Sequence, residues 1–184
     1  SKKPNILTVR VSNKHNESVL PLGGDIMHFG GIYRSVELIE TAPVHFDMVD
    51  AATTGVYIDT PEVSRDKATV RIRSNICNHL KSTKNIILRS AIYSPEGELL
   101  SILEDKDKMQ GGMHVQYTQE YDEFTNPRLW SPDNPVLYRV ETTIEDARSG
   151  KVLDRVTNPL GFRWVAADPD KGFFLNDQRT FIKG

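Results

Sequence analysis

The stretch that decides the fold is Asn126-Pro-Arg-Leu-Trp-Ser-Pro-Asp-Asn-Pro-Val-Leu-Tyr-Arg-Val140, in which three prolines surround a tryptophan. Proline fixes φ and has no backbone N–H, so neither a helix nor a central strand can run through this segment. We therefore predict a rigid corner, where the chain leaves one strand, crosses over and enters another at Val136. Leu129, Trp130 and Leu137 are expected to anchor this corner in an apolar core, since a buried indole removes on the order of 200 Å² from water.

The composition is that of an ordinary globular protein and argues against several classes of function. The chain has 184 residues, of which 38% are hydrophobic and 26% charged, with a net charge of −2; this length corresponds to one domain or slightly more. The charge argues against nucleic acid or an anionic membrane as a partner. No apolar run approaches the roughly 20 residues of a membrane-spanning helix. The polar start, Ser1 to Pro4, does not resemble a signal peptide.

The cysteine and histidine spacings predict neither a disulfide nor a metal site. Cys77 is the only cysteine, and its setting, Ile-Cys-Asn, is typical of a small buried side chain rather than a reactive thiol. His15, His45, His79 and His114 show neither the i, i+4 spacing nor the cysteine pairing of common metal sites. We therefore predict no metal and no cofactor.

From residue 44 onward, short alternating segments separated by turns predict an all-β fold. In the segment 68–75 the apolar residues share one face and the arginines the other, as in an antiparallel sheet with one solvated face. Ser94–Gly97 and Ala147–Gly150 have the composition of hairpin turns. No long segment shows a 3.6-residue period, so the sequence predicts an immunoglobulin-like β-sandwich. The nine predicted strands are 45–50, 55–59, 68–75, 85–93, 99–103, 113–119, 136–145, 152–157 and 161–165.

The two flanks of the sandwich have their own patterns. Alternation predicts strands at 6–11 and 33–40, and we expect the chain to begin inside a domain, with residues 41–43 as a linker. Residues 166–171 are predicted to be a second, polar linker. After it, residues 172–184 are predicted to form a hairpin that turns at Asn176-Asp177. This hairpin exposes four apolar residues that would need a partner to cover them, namely Phe173, Phe174, Phe181 and Ile182.

Three segments occur in an order that carries a family resemblance. They are Phe29-Gly-Gly-Ile-Tyr-Arg34, then Asn126 to Tyr138, then Gly161-Phe-Arg163 with Lys171 to Gly184. Together they resemble glycoside hydrolase family 2, the family of β-galactosidases, β-glucuronidases and β-mannosidases. The resemblance implies that residues 1–43 are the C-terminal part of a jelly-roll sugar-binding domain with remnant strands, and that 44–166 are an immunoglobulin-like sandwich. It further implies that 167–184 lead into a missing (β/α)₈ catalytic barrel.

The same resemblance implies a function. Members of the family are retaining glycosidases, which use two carboxyl groups about 5–5.5 Å apart, and both glutamates belong to the barrel. We therefore expect no catalytic residue in this chain, and a role in orienting the sugar-binding domain against the barrel of a β-galactosidase-like enzyme that acts on a carbohydrate substrate. The alternative is a stand-alone carbohydrate-binding or adhesion module. Contact between subunits through the exposed hairpin would make the protein a homo-oligomer.

Two residues are candidates for substrate binding because of the resemblance. Asn13 stands in a loop whose aspartate, in well-known β-galactosidases of the family, reaches the barrel mouth near substrate and a sodium ion. Asp25 matches an acidic position six residues before Gly31-Ile-Tyr-Arg34. The competing interpretations are a plain turn amide for Asn13 and a backbone cap for Asp25.

Other polar and aromatic residues favour structural roles. The acidic pairs Asp105/Asp107 and Glu62/Asp66 lie in polar stretches and are expected to be solvated rather than to act as acid and base. Trp130 could stack on a sugar, but its proline-rich setting favours a place in the core.

Overall fold

The structure, a computed structural model, describes residues 6–14, 16–18 and 30–182. The chain divides into two units, Ser1–Glu40 and Thr41–Gly184. The described residues form strands, turns and irregular segments, and none of them belongs to a helix. Accordingly, the described part of the chain has no helix of the length and apolarity needed to cross a membrane. The predicted all-β class is confirmed.

All strands of the described residues lie in the second unit and pair antiparallel in three sheets. The first sheet contains β1, β3, β2 and β6; the second has the order β5-β4-β7-β8; the third is β11-β10-β9. The strands are β1 Val44–Phe46, β2 Val56–Asp59, β3 Lys67–Asn78, β4 Lys84–Tyr93, β5 Leu99–Met109, β6 His114–Thr125, β7 Tyr138–Asp146, β8 Val152–Leu160, β9 Val165–Asp168, β10 Gly172–Leu175 and β11 Gln178–Arg179.

β3 is the centre of the first sheet. β6 pairs with it over nearly its whole length, from Lys67 to Cys77. β2 and β1 pair with successive parts of β3, β2 along its middle and β1 at its end. Because a strand has two edges, β1 and β2 share the edge of β3 that β6 leaves free. Every element of this sheet therefore takes its register from β3.

The core lies between the first and second sheets. Alternate residues of the central strands point inward and are fully buried, as the alternating sequence pattern predicts. Each such aliphatic side chain contributes on the order of 1.5–3 kcal/mol when it leaves water. The largest aliphatic members are Val70, Ile72 and Ile76 of β3, Ile86, Leu88 and Ile92 of β4, and Val140 and Ile144 of β7.

A buried hydrogen-bond network also joins the two sheets. Ser90 Oγ on β4 donates to Gln119 Oε1 on β6 at 2.7 Å, and Gln119 Nε2 donates to the Leu88 carbonyl at 3.4 Å. The Thr142 hydroxyl of β7 lies 3.2 Å from Ser90 Oγ. These side chains are almost fully excluded from water, where leaving a polar group unpaired is costly. Gln119 thus restricts how the sheets can slide across one another.

The proline-rich corner forms, and of its three predicted anchors only Leu129 packs against the core. Trp130 is half-buried and Leu137 is 47% exposed, so the prediction that they anchor the corner in the core is wrong. Phe162 takes that place: its ring lies 4.5 Å from Phe124 and 5.1 Å from Tyr138 between centroids, and it is fully buried. The Trp130 N–H donates to the Phe162 carbonyl at 2.8 Å. Phe162 is thus inside the core, whereas Trp130 is only half-buried.

Near the C-terminal end of the chain, two predicted segments differ from the structure and one predicted turn agrees with it. The predicted strand 161–165 is wrong, because Phe162 makes only an isolated bridge to Leu129 and a strand begins only at Val165. The predicted linker 166–171 is wrong, since 165–168 form β9 and pair with β10. The hairpin turn at Asn176-Asp177 is confirmed, with φ of 51° and 66° at the two residues.

The apolar residues of that hairpin are covered unequally. Phe173 and Phe174 are half-buried, whereas Phe181 and Ile182 are 76% and 74% exposed. The prediction of four exposed residues therefore holds for two of them.

In the first unit, the segments 6–11 and 33–40 are not strands. Their apolar side chains are exposed, for example Leu7 at 81% and Leu38 at 95%. A strand needs a hydrogen-bonded neighbour, and no segment among 6–14, 16–18 and 30–40 pairs with either of them. The prediction of strands in these two segments is therefore wrong, because an alternating pattern alone does not form a strand.

The aromatic cluster around Phe162 leads to a stability prediction. Replacing Phe162 by alanine should destabilise the protein by about 3–5 kcal/mol, because the cavity would sit among rigid aromatic neighbours. Urea unfolding followed by tryptophan fluorescence measures the change. Phe181→Ala is the matched control, and at 76% exposure it should change stability by less than about 0.5 kcal/mol. Equal effects of the two variants would contradict the core assignment.

Asp146 at the end of β7 leads to a prediction about pH. Its carboxylate accepts hydrogen bonds from Lys84 Nζ and from the N–H groups of Ser149 and Arg148, and these, the Lys84 bond first, hold the pKa of Asp146 well below its usual range. A carboxyl group whose pKa is depressed in the folded state stabilises the protein at pH values above its unfolded-state pKa of about 3.9. That stabilisation is lost as the pH falls below this value. The unfolding midpoint of the native protein should therefore fall more steeply below about pH 4 than that of Asp146→Asn. Asp133→Asn, in the exposed corner, should keep the native slope.

Candidate functional site

A row of three side chains crosses the outer face of the first sheet. His45 of β1 is the register partner of Cys77 on β3, and Cys77 is in turn the partner of His114 on β6. The next row, Phe46 and Ile76, is buried in the core. Since neighbouring rows point to opposite faces of a sheet, the row of His45, Cys77 and His114 lies on the outer face.

Two further side chains join this row, each from the residue directly after the end of a strand and two positions beyond a member of the row. Asp47 follows His45, and His79 follows Cys77. The potential ligand atoms of His45, Cys77 and His79 all lie within 4.8 Å of one another, and the same holds for those of Asp47, Cys77 and His114. The His79 ring stands 5.2 Å from that of His45 and 5.7 Å from that of His114, between centroids.

The cluster has an ordered set of charges and hydrogen bonds. Burial raises the pKa of Asp47, but the Val49 N–H and the His114 ring, 3.3 Å away, outweigh it and leave that pKa below its ordinary value. Burial, reinforced by the Asp47 carboxylate, raises the pKa of the Cys77 thiol. At neutral pH the site thus holds an ionised carboxylate and a protonated thiol.

The cluster opens into a cleft of about 570 Å³, whose polar lining includes His45, Asp47, His79 and His114. Cys77 lies beneath this lining and is only 1% exposed, which confirms its predicted burial. The cleft gives small solutes access to the imidazole rings while keeping the sulfur sheltered.

Sequence reasoning missed this cluster because it searched for the wrong spacing. Helical sites place ligands at i, i+4, whereas a strand brings i and i+2 to one face. His45-Phe-Asp47 and Cys77-Asn-His79 both have the strand spacing. Their proximity depends on the register of β1 against β3, which the sequence does not show. His15 lies outside the described residues.

The predicted substrate-binding residues are not part of this cluster. Asn13 is exposed in the first unit, and its side chain lies against Gly30, where an added Cβ would stand 3.0 Å from Asn13 Cγ. Asp25 lies outside the described residues. Substrate contact by Asn13 and Asp25 stays a prediction.

Comparison with known proteins places the sandwich in a family. The model of the glycosyl hydrolases family 2 matches residues 54–163, which is more than half of the chain. The chain belongs to glycosyl hydrolase family 2. The expected family is therefore confirmed.

Individual relatives match this family 2 chain over nearly its full length. The β-galactosidase BoGH2A of Bacteroides ovatus is 30% identical over 99% of this chain and 20% of its own length. A β-glucuronidase of Bacteroides fragilis is 32% identical over 98% of this chain and 25% of its own. The structure of Bacteroides uniformis β-glucuronidase 2 superposes with a TM-score of 0.86 and 34% identity, covering 95% of this chain and 21% of that one. The chain thus spans about a fifth to a quarter of these relatives.

Proposed function

We propose that this chain is the non-catalytic β-sandwich portion of a retaining, β-galactosidase-like glycoside hydrolase. In this proposal residues 1–43 complete a jelly-roll sugar-binding domain, 44–166 form the sandwich, and 167–184 lead into a (β/α)₈ barrel that carries the catalysis. The observation that carries the proposal is that the matched region is nearly all of this chain but a small part of each relative. Similarity extends over almost the whole of this chain but only a fifth to a quarter of enzymes named β-galactosidase or β-glucuronidase.

The two acidic pairs that the sequence analysis considered as acid and base support a non-catalytic role. Retention requires two carboxyl groups about 5–5.5 Å apart that flank an enclosed glycosidic bond. Asp105 and Asp107 instead lie exposed on β5, and Glu62 and Asp66 are exposed beside a turn. Solvated carboxyl groups keep similar environments and do not divide the roles of acid and base.

The attachment of the third sheet supports a positioning role. Asn176, in the tight turn between β10 and β11, is only 8% exposed. Its Nδ2 donates to the Trp130 carbonyl at 3.0 Å, and its Oδ1 accepts from the Trp164 N–H at 3.1 Å. The Asn176 carbonyl accepts from Arg65 Nη2 at 3.2 Å. One residue thus ties the C-terminal sheet to the corner and to the sandwich, so that whatever follows β11 leaves in a defined direction.

The alternative, a stand-alone carbohydrate-binding module, finds less support. Such a module needs open aromatic faces on which a sugar ring can lie. Arg139 stands 3.9 Å from the centroid of Tyr93, and Arg163 stands 4.7 Å from that of the Trp130 ring. Guanidinium groups in these positions make favourable cation–π contacts, and a sugar would have to displace them.

Hydrolysis assays test the proposal. The purified 184-residue chain should release no nitrophenol from 4-nitrophenyl β-galactoside or β-glucuronide, because the paired carboxyl groups lie elsewhere. The full-length product of the gene should hydrolyse one of them. A mock purification from cells without the gene controls for contaminating glycosidases. Turnover by the chain alone, above that control, would contradict a non-catalytic role.

The positioning role has its own test in the full-length enzyme. Asn176→Ala removes two side-chain hydrogen bonds between the third sheet and the sandwich, each worth about 0.5–1.5 kcal/mol, and should lower kcat/KM several-fold while the protein stays folded. Gln178→Ala, on the exposed strand β11, is the matched control and should leave kcat/KM unchanged. Identical kinetics for the two variants would show that this attachment does not orient the active site.

A further inference from the structure

We propose that His45, Cys77 and His79 form a binding site for Zn²⁺ on the outer face of the first sheet. The site is independent of the glycosidase role, since it lies on the sandwich itself and uses none of the residues assigned to substrate. It provides one sulfur and two imidazole nitrogens, with a fourth position open to the cleft.

The donor set decides which metal fits. Zinc is bound in proteins by cysteine sulfur and histidine nitrogen in tetrahedral arrangements. Thiolate and imidazole favour zinc and its transition-metal neighbours, whereas calcium and magnesium require oxygen ligands in larger number. The site therefore selects a borderline-soft divalent cation.

The distances are those of a site that needs little rearrangement. With Zn–S near 2.3 Å and Zn–N near 2.0 Å, tetrahedral geometry places sulfur and nitrogen roughly 3.5 Å apart. Cys77 Sγ lies 3.3 Å from His45 Nε2. The His79 nitrogen completes the set within 4.8 Å of both atoms, and rotation of this exposed side chain can close the remaining gap.

His45 is held in the tautomer that a ligand requires. Its Nδ1 lies 2.7 Å from the Ala42 carbonyl, and a carbonyl oxygen can only accept, so Nδ1 carries the proton. The lone pair of Nε2 then points toward Cys77. A histidine ligand whose other nitrogen donates to a backbone carbonyl is the usual arrangement in protein metal sites, since that bond fixes both ring and tautomer.

The backbone holds the two inner ligands rigidly. His45 and Cys77 are register partners on paired strands, and ligands on strands are positioned more accurately than ligands on loops. The Cys77 sulfur is buried, whereas His79 faces the cleft. A metal can thus enter from solvent, meet His79 first, and bind the sheltered pair.

Cys77 belongs to two candidate ligand groups, one with His45 and His79 and one with Asp47 and His114. Its sulfur can bind a metal together with only one of these groups. Asp47 and His114 already contact each other at 3.3 Å, and the Val49 N–H donates to the other Asp47 oxygen at 3.0 Å. His45 directs its Nε2 at the sulfur instead. We therefore assign His45 and His79, and not His114, as the nitrogen ligands. On binding, the Cys77 S–H bond is replaced by an S–Zn bond and the proton passes to solvent.

Calorimetry on the full chain tests whether the site exists. The purified protein is treated with EDTA, freed of chelator, and titrated with ZnCl₂. One Zn²⁺ should bind per chain, whereas CaCl₂ and MgCl₂ should give no binding heat. Absence of zinc binding, or binding of calcium at the same stoichiometry, would overturn the proposal.

Cobalt substitution tests the ligands. Co²⁺ should give the near-ultraviolet charge-transfer band of a cobalt–thiolate bond, and Cys77 is the only cysteine from which it can come. Cys77→Ser should abolish the band, and a native chain that binds Co²⁺ without it would exclude Cys77 as a ligand.

Histidine variants complete the assignment. His45→Gln and His79→Gln should each weaken zinc binding by at least about tenfold. His114→Gln is the matched control, a histidine on the same face, and should keep the affinity within about threefold. Unfolding midpoints measured in EDTA show that each variant folds. A loss with His114→Gln equal to that with His45→Gln would overturn the ligand assignment.

Discussion

The register of β3 is the constraint on which the rest of this structure depends. Its even-numbered residues from Val70 to Ile76 are buried in the core, and its odd-numbered residues carry the charges and Cys77 on the outer face. A slip of one residue would place Arg71 and Arg73 in the core and Ile72 outside it. Burial of the aliphatic residues excludes that slip, and so the same force that forms the core also brings Cys77 next to His45 and His114.

The corner between β6 and β7 connects the sandwich to the C-terminal sheet. Phe162 fills the end of the core, its backbone carbonyl holds Trp130, and the Trp130 carbonyl receives the Asn176 side chain. The sandwich and the C-terminal sheet are therefore joined by one bond between two backbone groups and one bond from a side chain to a backbone carbonyl.

The strand segments were predictable because alternation and turn residues act locally. The proline-rich corner and the Asn176-Asp177 turn follow from backbone restrictions of single residues, and both formed as expected. The burial of Trp130 was mispredicted because the ring that fills this end of the core is that of Phe162, which lies more than 30 residues further along the chain. The prediction of strands at 6–11 and 33–40 was wrong for a related reason. Alternation shows which side chains would share one face of a strand, but a strand forms only when a neighbouring segment pairs with it.

By itself, the sequence determined the all-β class, the turns, the family and the burial of Cys77. Each of these depends on local pattern or on motifs that survive without coordinates. Only the tertiary structure decided which aromatic ring closes the core and which side chains meet on the outer face. The physical reason is that antiparallel pairing joins residues such as His45 and Cys77, 32 positions apart, through a register that the core selects and that no local spacing encodes.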